Sequence, residues 1–283
     1  MLTILDKVDI IANLFIIIDD LYKFVSSREL PRKSKAGVKA KLSISELITI
    51  AVIFTFTGQS NFKGFYRLFK YAHLFRQMPC YSVLLRNIKG ASRYTMIMIQ
   101  ILTAMNSAAS DGKIKIIDSM PLPVCNNKRI FNYSVTKLAS RGKSSMGWFY
   151  EFKMHIVVDE EGKLLKMTIT PGNVSDKDRK LVKDLFKGLK GLAIADAGYV
   201  SELLRKELKE MGVQFVTNVY KNMKKLMTQA QHKVMKLRQM VETVNGQIKY
   251  RGNCVSSLPR SFDGYMWRYI TAVFTFMLLN QYF

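Results

Sequence analysis

The chain has 283 residues, 48% of them hydrophobic, and carries 44 Lys and Arg against 21 Asp and Glu for a net charge of +23. That apolar content excludes wholesale disorder, and the length allows one large domain or two of ordinary size. The positive excess favours a polyanionic partner, most simply nucleic acid, with a generally basic protein or one resting on anionic lipid as the other readings. Cys80, Cys125 and Cys254 lie far apart, fit neither a disulfide framework nor a zinc spacing, and read as free thiols of a reducing cytosol. No run approaches the roughly 18 apolar residues of a membrane span. The start, MLTILDKVD, lacks the pattern of a secretion signal, so a cytoplasmic protein with no membrane partner is expected.

Leu5 to Ser26 repeats its apolar residues at helical spacing. Ser27 to Lys41 is basic and polar and reads as a linker. Ser43 with Glu46 predicts a capped helix start running towards Gly58. Phe62 to Phe75 mixes aromatics with Lys and Arg, which suits either a core stripe or stacking and phosphate contacts on DNA. Helices capped by Ser82 up to about Lys89, and over Arg93 to Ser107, complete an all-helical domain over residues 1–110, to which DNA binding is assigned.

After Asp111-Gly112 the period changes to that of strands. Lys113 to Asp118 is β-branched and apolar and is followed by Pro121 and Pro123, so the strand is expected to end at Asp118. Asn126 to Gly147 reads as a basic loop carrying Lys128, Arg129, Arg141 and Lys143. Phe149 to Asp159 and Lys163 to Thr170 form a hairpin around Glu160-Glu161-Gly162, and Ser175 or Asp176 caps a helix to Gly188. Leu192 to Asp196 is a short buried strand, Ser201 caps a helix that Gly212 ends, and Val213 to Val219 is the fifth strand. A basic segment with Lys221, Lys224 and Lys225 leads into a long helix through Glu242, and a final apolar helix covers Phe262 to Leu279. The fold class is thus α/β, a mixed five-stranded sheet with flanking helices over residues 111–283, behind the helical front.

Two of these strands end in a carboxylate, Asp118 and Asp196. A lone strand-end Asp is most simply a turn cap. If the two strands are parallel neighbours, however, both carboxylates reach one site at the sheet rim. Glu242, almost the only acid between Tyr220 and Arg260, sits between Val241 and Val244, where a half-buried carboxylate is costly unless paired or metal-bound. Three hard oxygen donors without clustered His or Cys point to Mg²⁺ or Mn²⁺. Two such ions about 3.5–4 Å apart serve phosphodiester chemistry.

Four stretches carry a resemblance: Ile117-Asp-Ser-Met-Pro-Leu-Pro-Val-Cys125, Thr170-Pro-Gly-Asn-Val-Ser-Asp176, Asp196-Ala-Gly-Tyr199 and Val241-Glu-Thr-Val-Asn245. Together they resemble the DDE transposases of bacterial insertion sequences, most of all the 982 family, over most of the chain. The resemblance implies an RNase H-like core and a catalytic, metal-binding triad of Asp118, Asp196 and Glu242 with two Mg²⁺ ions, Mn²⁺ substituting. It implies as partners the terminal inverted repeats of the element and target DNA, and a homo-oligomer on DNA, with no small-molecule substrate. Ala197 departs from the Lys that many relatives carry after the second Asp. A related nuclease that cuts without joining, or a catalytically dead DNA-binding remnant, are the alternatives.

DNA-backbone contacts are expected from Lys128, Arg129, Arg141, Lys143, Lys221, Lys224, Lys225, Arg238, Lys249 and Arg251. Arg238, one helical turn before Glu242, pairs with it or meets a phosphate, and phosphate is the preferred reading. Tyr199 and Asn245 flank the acids and either position ligands or serve packing and capping. His155 is assigned to the sheet, and Asp176 and Asp178 to a helix start.

Overall fold

The computed structural model describes residues 8–27, 40–72, 74–75, 77–125, 139–144, 147–218, 228–254, 259 and 261–282. Helix α1 (Val8–Ser26) buries Leu14, Ile18 and Val25. Helix α2 (Ile44–Phe56) opens on the expected capping box: Ser43 Oγ accepts from the Glu46 amide at 3.1 Å, and the Glu46 carboxylate accepts from the Ser43 amide at 2.6 Å. From Leu47 to Thr55 every α2 residue is buried, as befits a helix apolar all round. Helix α3 (Phe62–Tyr71) turns Phe62, Phe65, Tyr66 and Phe69 inward and Lys63, Arg67 and Lys70 outward. Its aromatic stripe is therefore core.

Helix α4 (Tyr81–Ala108) is one helix where the sequence predicts two. A single glycine such as Gly90 costs a helix only about 1 kcal/mol, and burial of Ile88, Ala91, Tyr94 and Met98 around it offsets that.

Strand β1 (Lys115–Cys125) is followed by β2 (Ser140–Ser144), β3 (Gly147–Asp159), β4 (Leu164–Pro171), helix α5 (Arg179–Phe186), β5 (Gly191–Ala195), helix α6 (Glu202–Glu210) and β6 (Val213–Thr217). Helices α7 (Gln229–Met235) and α8 (Arg238–Gly246), a π-helical turn over Gln247–Arg251 and α9 (Phe262–Tyr282) complete the chain. The sheet has six strands in the order β2-β3-β1-β5-β6, with β4 also on β3. The pairs β1–β3, β2–β3 and β3–β4 are antiparallel, while β1–β5 and β5–β6 are parallel. The sixth strand, β2, lies where the sequence predicts loop; it pairs with the start of β3, from Ser140–Glu151 to Ser144–Gly147.

Three further expectations change. β1 does not end at Asp118: its pairing with β3 runs on through Pro121–Lys153 and Pro123–Glu151. Both prolines have the same parity, and pairing to β5 is recorded only at Lys115 and Ile116, so the missing N–H groups fall on an unpaired side where proline is tolerated. The cap of α5 is Asp178, whose side chain accepts from the Leu181 amide, not Ser175 or Asp176. The long helix through Glu242 is two helices and a π turn.

By compactness the chain divides into residues 1–99 with 248–283, and residues 100–247. Helix α9, which the sequence reading places with the sheet over residues 111–283, groups with the first unit, where it packs on α2. In the second unit one sheet face carries Ile117, Val157, Leu165, Ala193 and Ala195 against Val182, Leu185 and Phe186 of α5 and Leu204 and Leu208 of α6. Replacing Ile117, fully buried there, by Ala should cost ~2–5 kcal/mol in a denaturant titration. A loss under ~0.5 kcal/mol would contradict this packing.

Candidate active site

The parallel ladder pairs Lys115 with Ala193 and Ile116 with Ile194. Carried two residues on, this register sets Asp118 opposite Asp196, and strand alternation puts both on the face that Ile116 and Ile194 share. The other face is the α5–α6 core described above. The face of the two acids is the one α8 covers: Val241 and Val244 are buried, and α8 packs on β1. Arg238, Glu242 and Asn245 follow at helical spacing along one flank of α8.

That flank ties the three acids together. Asn245 Nδ2 donates to Asp118 Oδ2 at 3.0 Å. The Arg238 guanidinium lies 3.7 Å from Asp196 Oδ2 and donates to Glu242 Oε1. Of the two readings open for Arg238, the structure shows the pairing with Glu242, and the guanidinium approaches Asp196 as well. Glu242 was expected to be half-buried, and its side chain is 50% exposed. An i to i+4 Arg–Glu pair explains both, because the pair holds Glu242 along the helix surface.

Burial raises the Asp118 carboxyl to about 6, aided by the charges of Asp196 and Asp176 and opposed by the Ser119 amide and Arg238. A carboxylate in that setting is ready for a cation. Asn245 is 8% exposed, and its Oδ1 is buried with no hydrogen-bond partner among the described residues. Three carboxylates and an orphaned amide oxygen form a donor set of hard oxygens, which fits Mg²⁺ or Mn²⁺ and not zinc. As they stand, no three His, Cys, Asp or Glu side chains among the described residues close tightly enough to hold a metal ion. Arg238 fills the interval between Asp196 and Glu242.

Behind Asp118, on the opposite face, sits a polar network that sequence reasoning did not assign to the site. Ser119 Oγ donates to Asp176 Oδ1 at 2.8 Å, and Lys153 Nζ lies 3.3 Å from the same oxygen. His155 is fully buried, pairs Nε2 with Thr170 Oγ1 at 3.0 Å, and is pushed down to about 4 by burial. It is neutral at pH 7, so its 3.9 Å approach to Asp176 is not an ion pair. Tyr199 is buried in the α5–α6 core, and burial holds its phenol well above the usual range. The one sequence signal for this network was Asp176 within Thr170-Pro-Gly-Asn-Val-Ser-Asp176.

Of the basic residues expected on DNA, Arg141 is exposed on β2, Arg251 is exposed and Lys249 half-buried on the π turn. Lys143 lies on β2. Lys128, Arg129, Lys221, Lys224 and Lys225 lie outside the described residues. None of the three cysteines forms a disulfide; Cys80 is exposed and the other two are buried.

The family described as transposase DDE domain matches residues 108–258. The chain is similar in fold to a piggyBac transposase solved by cryo-electron microscopy as a synaptic complex with hairpin DNA. The TM-score is 0.52 at 12% identity, over 97% of this chain and 74% of that one. No curated protein matches in sequence. The mixed sheet with flanking helices is consistent with an RNase H-like core.

The Asp118 carboxyl titrates near 6 in the fold and near its ordinary 3.8 when unfolded. The native state therefore binds the proton more tightly, and Asp118 lowers stability as pH rises from about 4 to about 6. In metal-free protein Asp118→Asn keeps an acceptor for Asn245 and should raise stability at pH 7–8 by up to ~3 kcal/mol, with little change near pH 4. Thermal melts across pH check this; an equal effect at both ends of the range would contradict it.

Proposed function

The chain belongs to the transposase DDE domain family, and from that premise we propose that it is the transposase of a bacterial insertion sequence of the 982 kind. It cuts the ends of its element and joins them to target DNA by transesterification. The observation that carries this reading is the linkage of Asp118, Asp196 and Glu242 through Asn245 and Arg238 on one helix. The +23 charge supports a DNA substrate, as does the likeness to a transposase bound to hairpin DNA. The helical unit, Arg141, Lys143, Lys249 and Arg251 bind the DNA backbone, with Lys128, Arg129, Lys221, Lys224 and Lys225. The protein acts as a homo-oligomer on DNA at the bacterial nucleoid. No helix among the described residues is long and apolar enough to cross a membrane.

Asp118, Asp196 and Glu242 would together hold two Mg²⁺ ions, with Mn²⁺ able to substitute. When bound, the ions supply activation of the attacking oxygen and charge stabilisation at the leaving one. The chain's own residues prepare for them. Asn245 fixes the orientation of Asp118 through its amide N–H and offers Oδ1 as a further donor. Ser119 and Asp176 hold β1 from the opposite face. Arg238 neutralises Asp196 and Glu242, and its guanidinium would be available to a phosphate where those carboxylates held the metal.

Asp118→Ala, Asp196→Ala and Glu242→Ala should each cut Mg²⁺-dependent strand transfer by about 10³-fold or more, since a lost metal ligand forfeits several kcal/mol. Joined products that persist in any of the three would remove that residue from the triad, and cleavage without joining would make the chain a nuclease. Arg238→Gln should bind Mn²⁺ about twofold to fivefold tighter in DNA-free calorimetry, the weight of an exposed ion pair. Unchanged or weaker binding would contradict the competition between guanidinium and metal.

A further inference from the structure

A cavity of about 310 Å³ opens within the helical unit. Its wall includes Lys89 and Arg268 and, among the described residues, no Asp or Glu. Two cations facing one cavity without an acid make it an electropositive hollow. Arg268 is only 9% exposed; burial holds its guanidinium below its usual range, against the cost of charging it there. It donates to the Ser60 carbonyl at 3.3 Å and lies 5.3 Å from the Phe54 ring and 5.6 Å from the Trp267 ring. Lys89 Nζ donates to Ser261 Oγ at 3.2 Å, which brings the two sides of the cavity together.

The backbone adds to the same field. Asn61, the N-cap of α3, lines the cavity, as does Tyr81, the first residue of α4, and Ser261, which precedes α9 and accepts from the Gly264 amide. Three helices begin at one hollow, and helix starts carry partial positive charge. A volume near 300 Å³ lies at the small end of ligand sites. An anion of three or four oxygens matches donors that arrive from several sides, and a compact cation such as Lys with a forked one such as Arg is a pairing suited to phosphate.

We propose that this cavity binds a phosphate group, and that the phosphate belongs to the backbone of a DNA strand. The source rests on the reading of the chain as a DNA-acting transposase. The two fail separately, because binding here is measured without metal or turnover, whereas the triad is tested by joining.

The experiment uses the full chain, a short DNA duplex and inorganic pyrophosphate. Pyrophosphate should raise the melting temperature of the unsubstituted protein. Lys89→Met should weaken duplex binding by about tenfold, the size of one lost charge-assisted contact, lower the salt slope by about one, and abolish the pyrophosphate protection. Lys206→Met, exposed on α6 and outside both the cavity and the helical unit, should leave all three within twofold. Absence of pyrophosphate protection, or equal losses for the two variants, would overturn the site. Lost protection with unchanged duplex binding would overturn the DNA source and leave a site for free phosphate.

Discussion

A carboxylate held out of water must be neutralised, hydrogen-bonded or bound to a cation, and Asp118 imposes that requirement on everything around it. It lies on the β1 face that α8 covers, and burial drives its carboxyl up to about 6. The local answer is a side-chain hydrogen bond from Asn245, added to the Ser119 amide and the charge of Arg238, and the other end of that Asn245 amide has no partner among the described residues. That arrangement is only half satisfied, which is the state expected of a site that awaits another component.

The same helix handles the other two acids differently. Asp196 and Glu242 are each about half exposed, so water screens them and neither needs rescue. Arg238 nevertheless stands between them and supplies one positive charge where the proposed function would place divalent metal. The division follows from position on α8. Val241 and Val244 fix the helix on the sheet, and Arg238, Glu242 and Asn245 ride on its flank at successive turns. One packing interaction therefore sets both the depth of Asp118 and the reach of Arg238. The sheet contributes its part through register, since the ladder from Ile116 and Ile194 carries Asp118 and Asp196 onto one face.

The three acids stand out in the sequence because their signals are local. An acid after an apolar β-branched run and a solitary acid in a basic stretch both stand out without any structure. The capping box at Ser43 was legible for the same reason. What the chain order hides is where a neighbouring strand stops. Pro121 and Pro123 forbid a central strand, yet β1 runs through both because β5 pairing stops at Ile116 and leaves an unpaired side. Choosing between Asp176 and Asp178 as a helix cap also depends on tertiary partners: Ser119 and Lys153, more than twenty residues away in sequence, claim Asp176 and leave the cap to Asp178. Arg238 had two partners of opposite kind open to it, and only the fold brings Asp196 within 3.7 Å.

The central claim is that α8 and the β1–β5 face make a divalent-metal site whose place between Asp196 and Glu242 is held by Arg238. A crystal of the chain soaked in Mn²⁺, with anomalous scattering used to locate the metal, tests it most directly. The account predicts Mn²⁺ on Asp118 with Asp196 or Glu242, and a guanidinium moved off the carboxylates. Mn²⁺ bound elsewhere, with Arg238 still bridging Asp196 and Glu242, would contradict it.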